Sequence, residues 1–263
     1  MMFQPVLPLT GLPGWKLLTR TMEAQTGAFD ASPRIARDTA YFEANIGKVT
    51  SGADLTADRR LLRVALGAFG LQDDINNRFL IQKVLESDLD DRRSLANSFS
   101  DTRYRQMSEA FAFGDALRGP RTQEPGFGAQ ITARFRAQSF EIAVGQQDES
   151  MRLALNARRE LAQITARDLT DTTAWFRVLG TPPLRTVFET AFGLPESFGQ
   201  LDIERQVQEF KTLAHNKLGI EKFDDFARPD RREALVESYL LRNHIKQSSS
   251  LSSQSIALAL LQA

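Results

Sequence analysis

The chain has 263 residues, of which 42% are hydrophobic and 25% are charged. Its 33 basic and 33 acidic residues give no net charge, and the two signs interleave along the sequence, which is typical of solvated helix faces. These values are typical of a globular protein of one large or two small domains, and they exclude wholesale disorder and a collagen-like repeat.

The N-terminal segment is predicted to be extended. Pro5 and Pro8 each fix one backbone dihedral and disfavour a helix in the residue before them, so we expect residues 1–9 to lack regular structure. The segment has no basic stretch ahead of its apolar residues, so we expect no secretory signal peptide. No apolar run approaches 18 residues, so we expect no membrane span.

The rest of the chain is predicted to be helical. Apolar residues recur at helical spacing, and no convincing run alternates apolar and polar β-branched residues, so we expect an all-α, multihelical fold. Phenylalanines on the apolar faces, including Phe69, Phe79 and Phe111, are predicted to lie in the core. We expect helices at about residues 15–25, from Pro33, at 52–69 behind a cap at Ser51, at 73–89, at 95–99, at 101–114, at 131–166 with a break near Gly145, at 184–192, at 201–218 and at 230–245.

Two stretches of the sequence resemble each other. Residues 61–71 (LLRVALGAFGL) and 184–194 (LRTVFETAFGL) share six positions, and each ends in Gly-Leu. A glycine just past a helix adopts the left-handed conformation at little cost, so Gly70 and Gly193 are predicted to end their helices. Similar helix patterns follow both stretches, which predicts two related helical lobes. The alternative is two unrelated helices with the same glycine cap.

The composition predicts the domain organisation. Gly114, Gly119, Pro120, Pro125 and Gly126 mark the clearest interior loop, which divides an N-terminal lobe (1–118) from a C-terminal lobe (128–247). Residues 248–263 are predicted to form a serine-rich tether with a short apolar tail. Such a tail must pack on this protein, insert into a partner or stay frayed. The candidate partner-binding residues of the tail are Ile256, Leu258, Leu260 and Leu261.

The sequence contains no pattern that predicts catalysis. It has no cysteine, which excludes disulfides, thiolate chemistry and cysteine-bound zinc but does not fix the compartment. Its two histidines, His215 and His244, stand outside any metal-binding spacing, and no phosphate-binding glycine motif or nucleophile elbow is present. We therefore expect no catalytic residue, no metal and no cofactor.

Trp15 stands out at the start of the first predicted helix. It follows the extended segment and lies between Gly14 and Lys16. Its large side chain can fasten that segment to the body of the protein. The functional alternative, which we keep as a candidate, is an exposed anchor for a protein partner.

Several of these segments resemble a known family. The runs Phe3–Gly11, Gly14–Lys16, Leu61–Leu71, Ser94–Asn97 and Asp101–Tyr104 together resemble an alphaproteobacterial domain family of unknown function. The resemblance is best over residues 3–115 and looser beyond. It implies an all-helical fold and a gene context, because genes of this family often lie among flagellar genes. The shared motifs are caps and core aromatics, so no active site is carried over.

Three function classes follow from these observations. The first is a non-catalytic structural or interaction protein of the flagellum, whether a component, an export substrate or an assembly factor, in the cytoplasm or exported through the flagellar apparatus. The second is an enzyme or small-ligand-binding protein with its site between the two lobes. The third, nucleic-acid binding, is disfavoured by the neutral charge. The expected partner is a protein, and the sequence leaves the oligomeric state open.

Overall fold

The computed structural model describes residues 3–261, and the side chains of residues 3–247. Within those residues the protein is all-α and multihelical, and no β-strand occurs among them. Residues 3–10 form no helix, and the side chain of Gln25 makes hydrogen bonds with the backbone N–H and C=O of Val6. The helices are α1 (Gly11–Asp30), α2 (Pro33–Asn45), α3 (Gly52–Ala57), α4 (Arg59–Ala68), α5 (Arg78–Leu85), α6 (Leu95–Ser98), α7 (Thr102–Phe111), α8 (Phe127–Gly145), α9 (Glu149–Thr165), α10 (Asp171–Leu179), α11 (Pro182–Phe192), α12 (Ile203–Leu218) and α13 (Pro229–Leu261).

Two helices replace the single helix that was predicted over residues 52–69. Ser51 caps α3 as expected, because its hydroxyl accepts a hydrogen bond from the Asp54 amide at 3.1 Å. Asp58 has extended backbone angles, and its carboxylate accepts hydrogen bonds from the amides of Arg60 and Leu61. The carboxylate therefore starts a second helix one residue after the first ends.

The glycine stops form as predicted. Gly70 has φ +70° and Gly193 has φ +68°, both left-handed. Directly after each glycine, the leucine amide donates a hydrogen bond back to the helix. Leu71 donates to the Leu66 carbonyl and Leu194 to the Glu189 carbonyl, each at 2.9 Å. This pairing satisfies carbonyls that the end of a helix otherwise leaves open.

The chain divides into two compact units. The first holds residues up to Val6 and Thr21–Ala143, and the second holds Leu7–Arg20 and the chain from Val144 onward. Both α1 and α8 therefore contribute residues to both units. The loop 114–127, where the sequence predicted a boundary, lies inside the first unit, and the Thr122 hydroxyl within it donates to the Val49 carbonyl at 2.6 Å.

Several helix pairs pack in a similar order in the two units. In the first unit, α2 packs on α4, α3 packs on α4 and α5, and α5 packs on α7. In the second unit, α9 packs on α11, α10 packs on α11 and α12, and α12 packs on α13. The two stretches that resemble each other in sequence, α4 and α11, hold corresponding places among these pairs. The units differ in that α13 also packs extensively on α9 and α11, which α7 does not match on α2 and α4.

Aromatic side chains fill the core of each unit. In the first unit, Phe111 packs edge-on against Phe127, with ring centroids 5.2 Å apart. Phe79, predicted to be a core residue, is 74% exposed, because it lies on the outer side of the short helix α5. The second unit has a larger cluster around Trp175, which contacts Phe188, Phe210, Phe223 and Phe226.

The last helix is longer than the sequence predicted. The backbone of α13 continues to Leu261, through the residues that were predicted to form a tether. Serine has a lower helix propensity than alanine but does not break a helix. The side chains of residues 248–263 lie outside the described residues.

Candidate interaction surface

The structure gives Trp15 a packing role. Its side chain is completely buried in the second unit. The indole N–H donates to the Glu233 carboxylate of α13 at 2.5 Å, and the Arg158 guanidinium lies 5.9 Å from the ring centroid. A buried indole with a satisfied N–H holds α1 on this unit and presents no surface to a partner.

The four tail residues cannot be placed in the same way. Ile256, Leu258, Leu260 and Leu261 were predicted to bind a partner, and their side chains lie outside the described residues. Only the helical backbone of α13 is described there.

The histidines do not gather ligands around them. The Nδ1 atom of the exposed His215 lies 3.4 Å from Glu221. His244 lines a cavity of about 390 Å³ together with Asp148 and Glu149. Among residues 3–247, no cluster of three or more histidine, aspartate or glutamate side chains has an arrangement that would hold a metal ion.

A groove between α11 and α13 is a candidate interaction surface. It has a volume of about 700 Å³ and lies wholly within the second unit. Apolar residues of α13 and of the segment just after α11 line it, and two acidic and two basic side chains share its lining. The apolar members are Leu194, Pro195, Leu241 and Ile245, and the charged ones are Glu189, Glu196, Arg242 and Lys246.

The end of α11 is held in place by side chains from α12 and α13. The Lys217 ammonium donates to the Phe192 carbonyl at 2.5 Å, and the Ser238 hydroxyl donates to the Ala191 carbonyl at 3.2 Å. Arg242 lies directly against Gly193, where a Cβ atom would overlap its guanidinium. Cations at the C-terminal end of a helix also interact favourably with the helix dipole. The end of α11, which forms one wall of the groove, is therefore held in place.

The surroundings of this helix end change the pKa of Lys217. Burial, and secondarily the nearby Arg242 guanidinium, lower the pKa of Lys217 below its usual 10.5. Burial disfavours the charged ammonium because it removes water from around it, and the second cation at the same helix end disfavours it further.

The apolar residues on α13 are unusually exposed. Leu241 is 57% exposed and Ile245 is 56% exposed, and they lie one helical turn apart. The opposite stripe of the same helix, which includes Leu235, Tyr239 and Leu240, is buried. The helix therefore packs on the second unit with one face and offers leucine and isoleucine on another.

Sequence reasoning did not find this groove. The available signal was the width of the apolar stripe on the last helix, since Tyr239, Leu240 and Leu241 cannot all face one neighbour in a helix of 3.6 residues per turn. Sequence spacing alone did not show which of them faces the body, because that depends on where α11 packs.

No helix among the described residues combines the length and apolar character needed to cross a membrane. A search among curated proteins finds no match to the chain. The crystal structure of a protein from Agrobacterium tumefaciens is similar over 92% of this chain and 99% of that chain, with a TM-score of 0.74 and 23% sequence identity. At this identity the similarity shows a shared fold.

The family comparison overlaps the range in which the resemblance was strongest and extends beyond it. The sequence resemblance was strongest over residues 3–115, whereas a family model described as "Protein of unknown function (DUF1217)" matches residues 68–231. The matched range is more than half of the chain, and it includes α11, which forms one side of the groove. The chain belongs to this family of unknown function.

Proposed function

We propose that this protein is a non-catalytic structural or interaction protein of the bacterial flagellum, acting as a component, an export substrate or an assembly factor. The observation that carries an interaction role is the α11–α13 groove, with Leu241 and Ile245 more than half exposed beside it. Exposed aliphatic residues that share a groove with a mixed polar rim are typical of protein-binding surfaces.

The flagellar assignment has a separate basis. The sequence resembles a family whose genes often lie among flagellar genes, and a protein of the same fold occurs in Agrobacterium tumefaciens, an alphaproteobacterium. The protein then acts either in the cytoplasm or outside it after export through the flagellar apparatus.

Large apolar side chains are also exposed outside the groove. Elsewhere among residues 3–247, the large exposed hydrophobic side chains include Phe79, Leu117, Leu201 and Ile203. None of these lines the α11–α13 groove. Leu201 and Ile203 lie in the same unit as the groove and serve as matched controls for it.

Cellular fractionation tests the flagellar assignment. The protein is followed by immunoblot in cytoplasm, culture supernatant and purified basal bodies, in wild-type cells and in a strain that lacks flagellar export. We expect enrichment in basal bodies, or export-dependent appearance outside the cell. A protein absent from basal bodies, unchanged without export, and whose deletion leaves swimming unaffected would overturn the assignment.

The groove is tested in the same cells. We expect Leu241→Ser with Ile245→Ser to reduce swimming or basal-body enrichment while the protein remains folded. The control, Leu201→Ser with Ile203→Ser, removes as many exposed apolar residues from the same unit and is expected to behave as wild type. Equal behaviour of the two pairs would show that the groove has no part in the function.

A further inference from the structure

Four arginines gather in the first unit where α2 packs on α4. Arg34 and Arg37 lie one turn apart on α2, and Arg60 and Arg63 lie one turn apart on α4. The Arg60 guanidinium donates to the Arg37 carbonyl at 3.4 Å, which places the two pairs side by side. Packed helices lie about 8–10 Å apart and one turn rises about 5 Å, so the four side chains start from a surface about 10 Å across. We call these four residues the arginine patch.

The carboxylates near the arginine patch do not satisfy its guanidinium groups. The Asp38 side chain is 9% exposed, and its oxygens lie 3.9 Å from an Arg60 nitrogen and 3.7 Å from an Arg63 nitrogen. Both distances are too long for a hydrogen bond. The Asp58 carboxylate accepts from the Tyr41 hydroxyl at 2.7 Å and from two backbone amides at the start of α4. Four positive charges therefore face two carboxylates, and neither carboxylate forms a hydrogen bond with a guanidinium of the patch.

Most N–H donors of the arginine patch are left for another acceptor. A guanidinium carries five N–H donors in a planar fork. Arg37 uses its Nε on the Pro33 carbonyl, and Arg60 uses one donor on the Arg37 carbonyl. Within residues 3–247, the side chains of Arg34 and Arg63 donate no hydrogen bond. An oxygen-bearing partner can therefore bind here without breaking an existing ion-pair hydrogen bond.

The position of Arg60 is fixed before any partner binds. Its guanidinium lies 3.9 Å from the centroid of the Tyr41 ring, which supports it by a cation–π contact. A side chain that is already held loses less conformational freedom on binding. The arrangement is not general for this unit, because Arg103 closes on Asp101 at 2.7 Å.

The chemistry of the arginine patch favours carboxylate groups of a protein. A guanidinium fork matches a carboxylate with two parallel hydrogen bonds, and the excess of positive charge is complementary to an acidic segment. None of the large hydrophobic side chains exposed among residues 3–247 belongs to α2 or α4, so the patch has no anchor to insert into a membrane. Nucleic acid is usually bound by an extended basic stripe on a basic domain, whereas this chain has no net charge.

We propose that the arginine patch binds an acidic segment of a protein partner. One carboxylate is held from α2 by Arg34 and Arg37, and another is held from α4 by Arg60 and Arg63. Acidic side chains at alternate positions of an extended segment lie about 7 Å apart on one face, which fits a patch of this width. The patch belongs to the first unit and the α11–α13 groove to the second, so the proposal depends on neither the groove nor the flagellar assignment.

Binding of a labelled peptide to the full-length chain tests the proposal. The probe is a short fluorescein-labelled peptide of repeating Glu-Ser, followed by fluorescence anisotropy, and the uncharged control is the same peptide with glutamine in place of glutamate. We expect the acidic peptide to bind, and its binding to weaken as the salt concentration rises from about 0.05 to 0.3 M. An acidic peptide that binds no more tightly than the glutamine peptide would overturn the proposal.

Two double variants locate the binding surface. Arg34→Gln with Arg37→Gln changes exposed side chains that form no ion pair within residues 3–247, so the fold is expected to be unchanged. Arg60→Gln with Arg63→Gln removes the pair on α4. Each is expected to weaken binding of the acidic peptide about five- to tenfold, since two exposed charge pairs are lost. Circular dichroism checks that both variants are folded, and wild-type binding by the folded Arg34→Gln, Arg37→Gln variant would contradict the proposal.

A matched control separates the arginine patch from the charge of the whole chain. Arg92→Gln with Arg93→Gln removes two exposed arginines from the same unit and is expected to bind the acidic peptide as the wild type does. Equal weakening by this pair and the patch pairs would show a general charge effect and overturn the proposal. Tighter binding of a short oligothymidine, or of phosphatidylglycerol vesicles, than of the acidic peptide would also overturn it.

This proposal and the proposed function fail separately. The groove variant, Leu241→Ser with Ile245→Ser, is expected to bind the acidic peptide as the wild type does. If peptide binding fails while fractionation places the protein in basal bodies, the flagellar role stands without the arginine patch. If the peptide binds at the patch while fractionation shows no flagellar link, the acidic partner must be sought in another cellular process.

Discussion

Replacing Gly193 with alanine is expected to destabilise the second unit through the backbone. Gly193 adopts φ +68° and ψ +38°, so an alanine there would hold a left-handed conformation. That conformation costs an L-residue about 1–2 kcal/mol. The added Cβ atom would also overlap the Arg242 guanidinium, which is the far end of a flexible side chain and can move aside.

The expected loss in the free energy of unfolding is therefore about 1–2 kcal/mol. With a urea m-value of about 2 kcal/mol/M, the midpoint falls by roughly 0.5–1 M. Tryptophan fluorescence is the appropriate probe, because both tryptophans, Trp15 and Trp175, lie buried in the second unit. Far-UV circular dichroism follows the helices of both units.

Two controls isolate the left-handed backbone as the cause. Gly193→Asn is expected to lose less than Gly193→Ala, since asparagine tolerates this conformation better. Gly27→Ala is expected to have the opposite sign and to gain about 0.5–1 kcal/mol, because Gly27 lies inside α1 with no atom within 4 Å of the added Cβ. A Gly193→Ala protein as stable as the wild type would refute the reasoning.

Two further predictions concern side chains that fasten elements of the second unit. Trp15→Phe is expected to lower the free energy of unfolding by about 1–3 kcal/mol, because the Glu233 carboxylate loses its indole donor. Urea unfolding followed by circular dichroism measures this, and an unchanged midpoint would contradict it. Hydrogen bonding from the Lys222 amide lowers the pKa of Asp225 below its usual 3.8. The ionised carboxylate therefore stabilises the fold above that value, and this contribution is lost as the pH falls through the lower pKa of the folded state. Asp225→Asn is therefore expected to be less stable than wild type at pH 7 and to approach it near pH 3; a difference that persists undiminished at pH 3 would exclude this carboxylate as the cause.

Local chemistry made several elements predictable from the sequence. The helix ends at Gly70 and Gly193 depend on the conformational freedom of one residue, so their position follows from the sequence alone. The break at Gly145 between α8 and α9 and the start of α2 at Pro33 were predicted on the same grounds. The all-α class follows from apolar spacing, which is also a local property.

Other features depend on contacts between distant residues. Helix α10 (Asp171–Leu179) was not predicted, and its place is set largely by the packing of Trp175 among phenylalanines from later helices. Phe79 has the spacing of a core residue but lies on the outer side of α5. Periodicity identifies an apolar face but does not state whether a neighbour covers it.

The candidate site also separates what the sequence determines from what tertiary packing determines. The sequence by itself determined that the chain is helical, where glycine ends α4 and α11, and that the C-terminal residues are apolar and uncharged. Only the tertiary structure showed that Trp15 is buried against Glu233, while Leu241 and Ile245 line an open groove. The physical reason is that burial depends on which elements meet, and α11 and α13 meet although 36 residues of chain, 193–228, separate them.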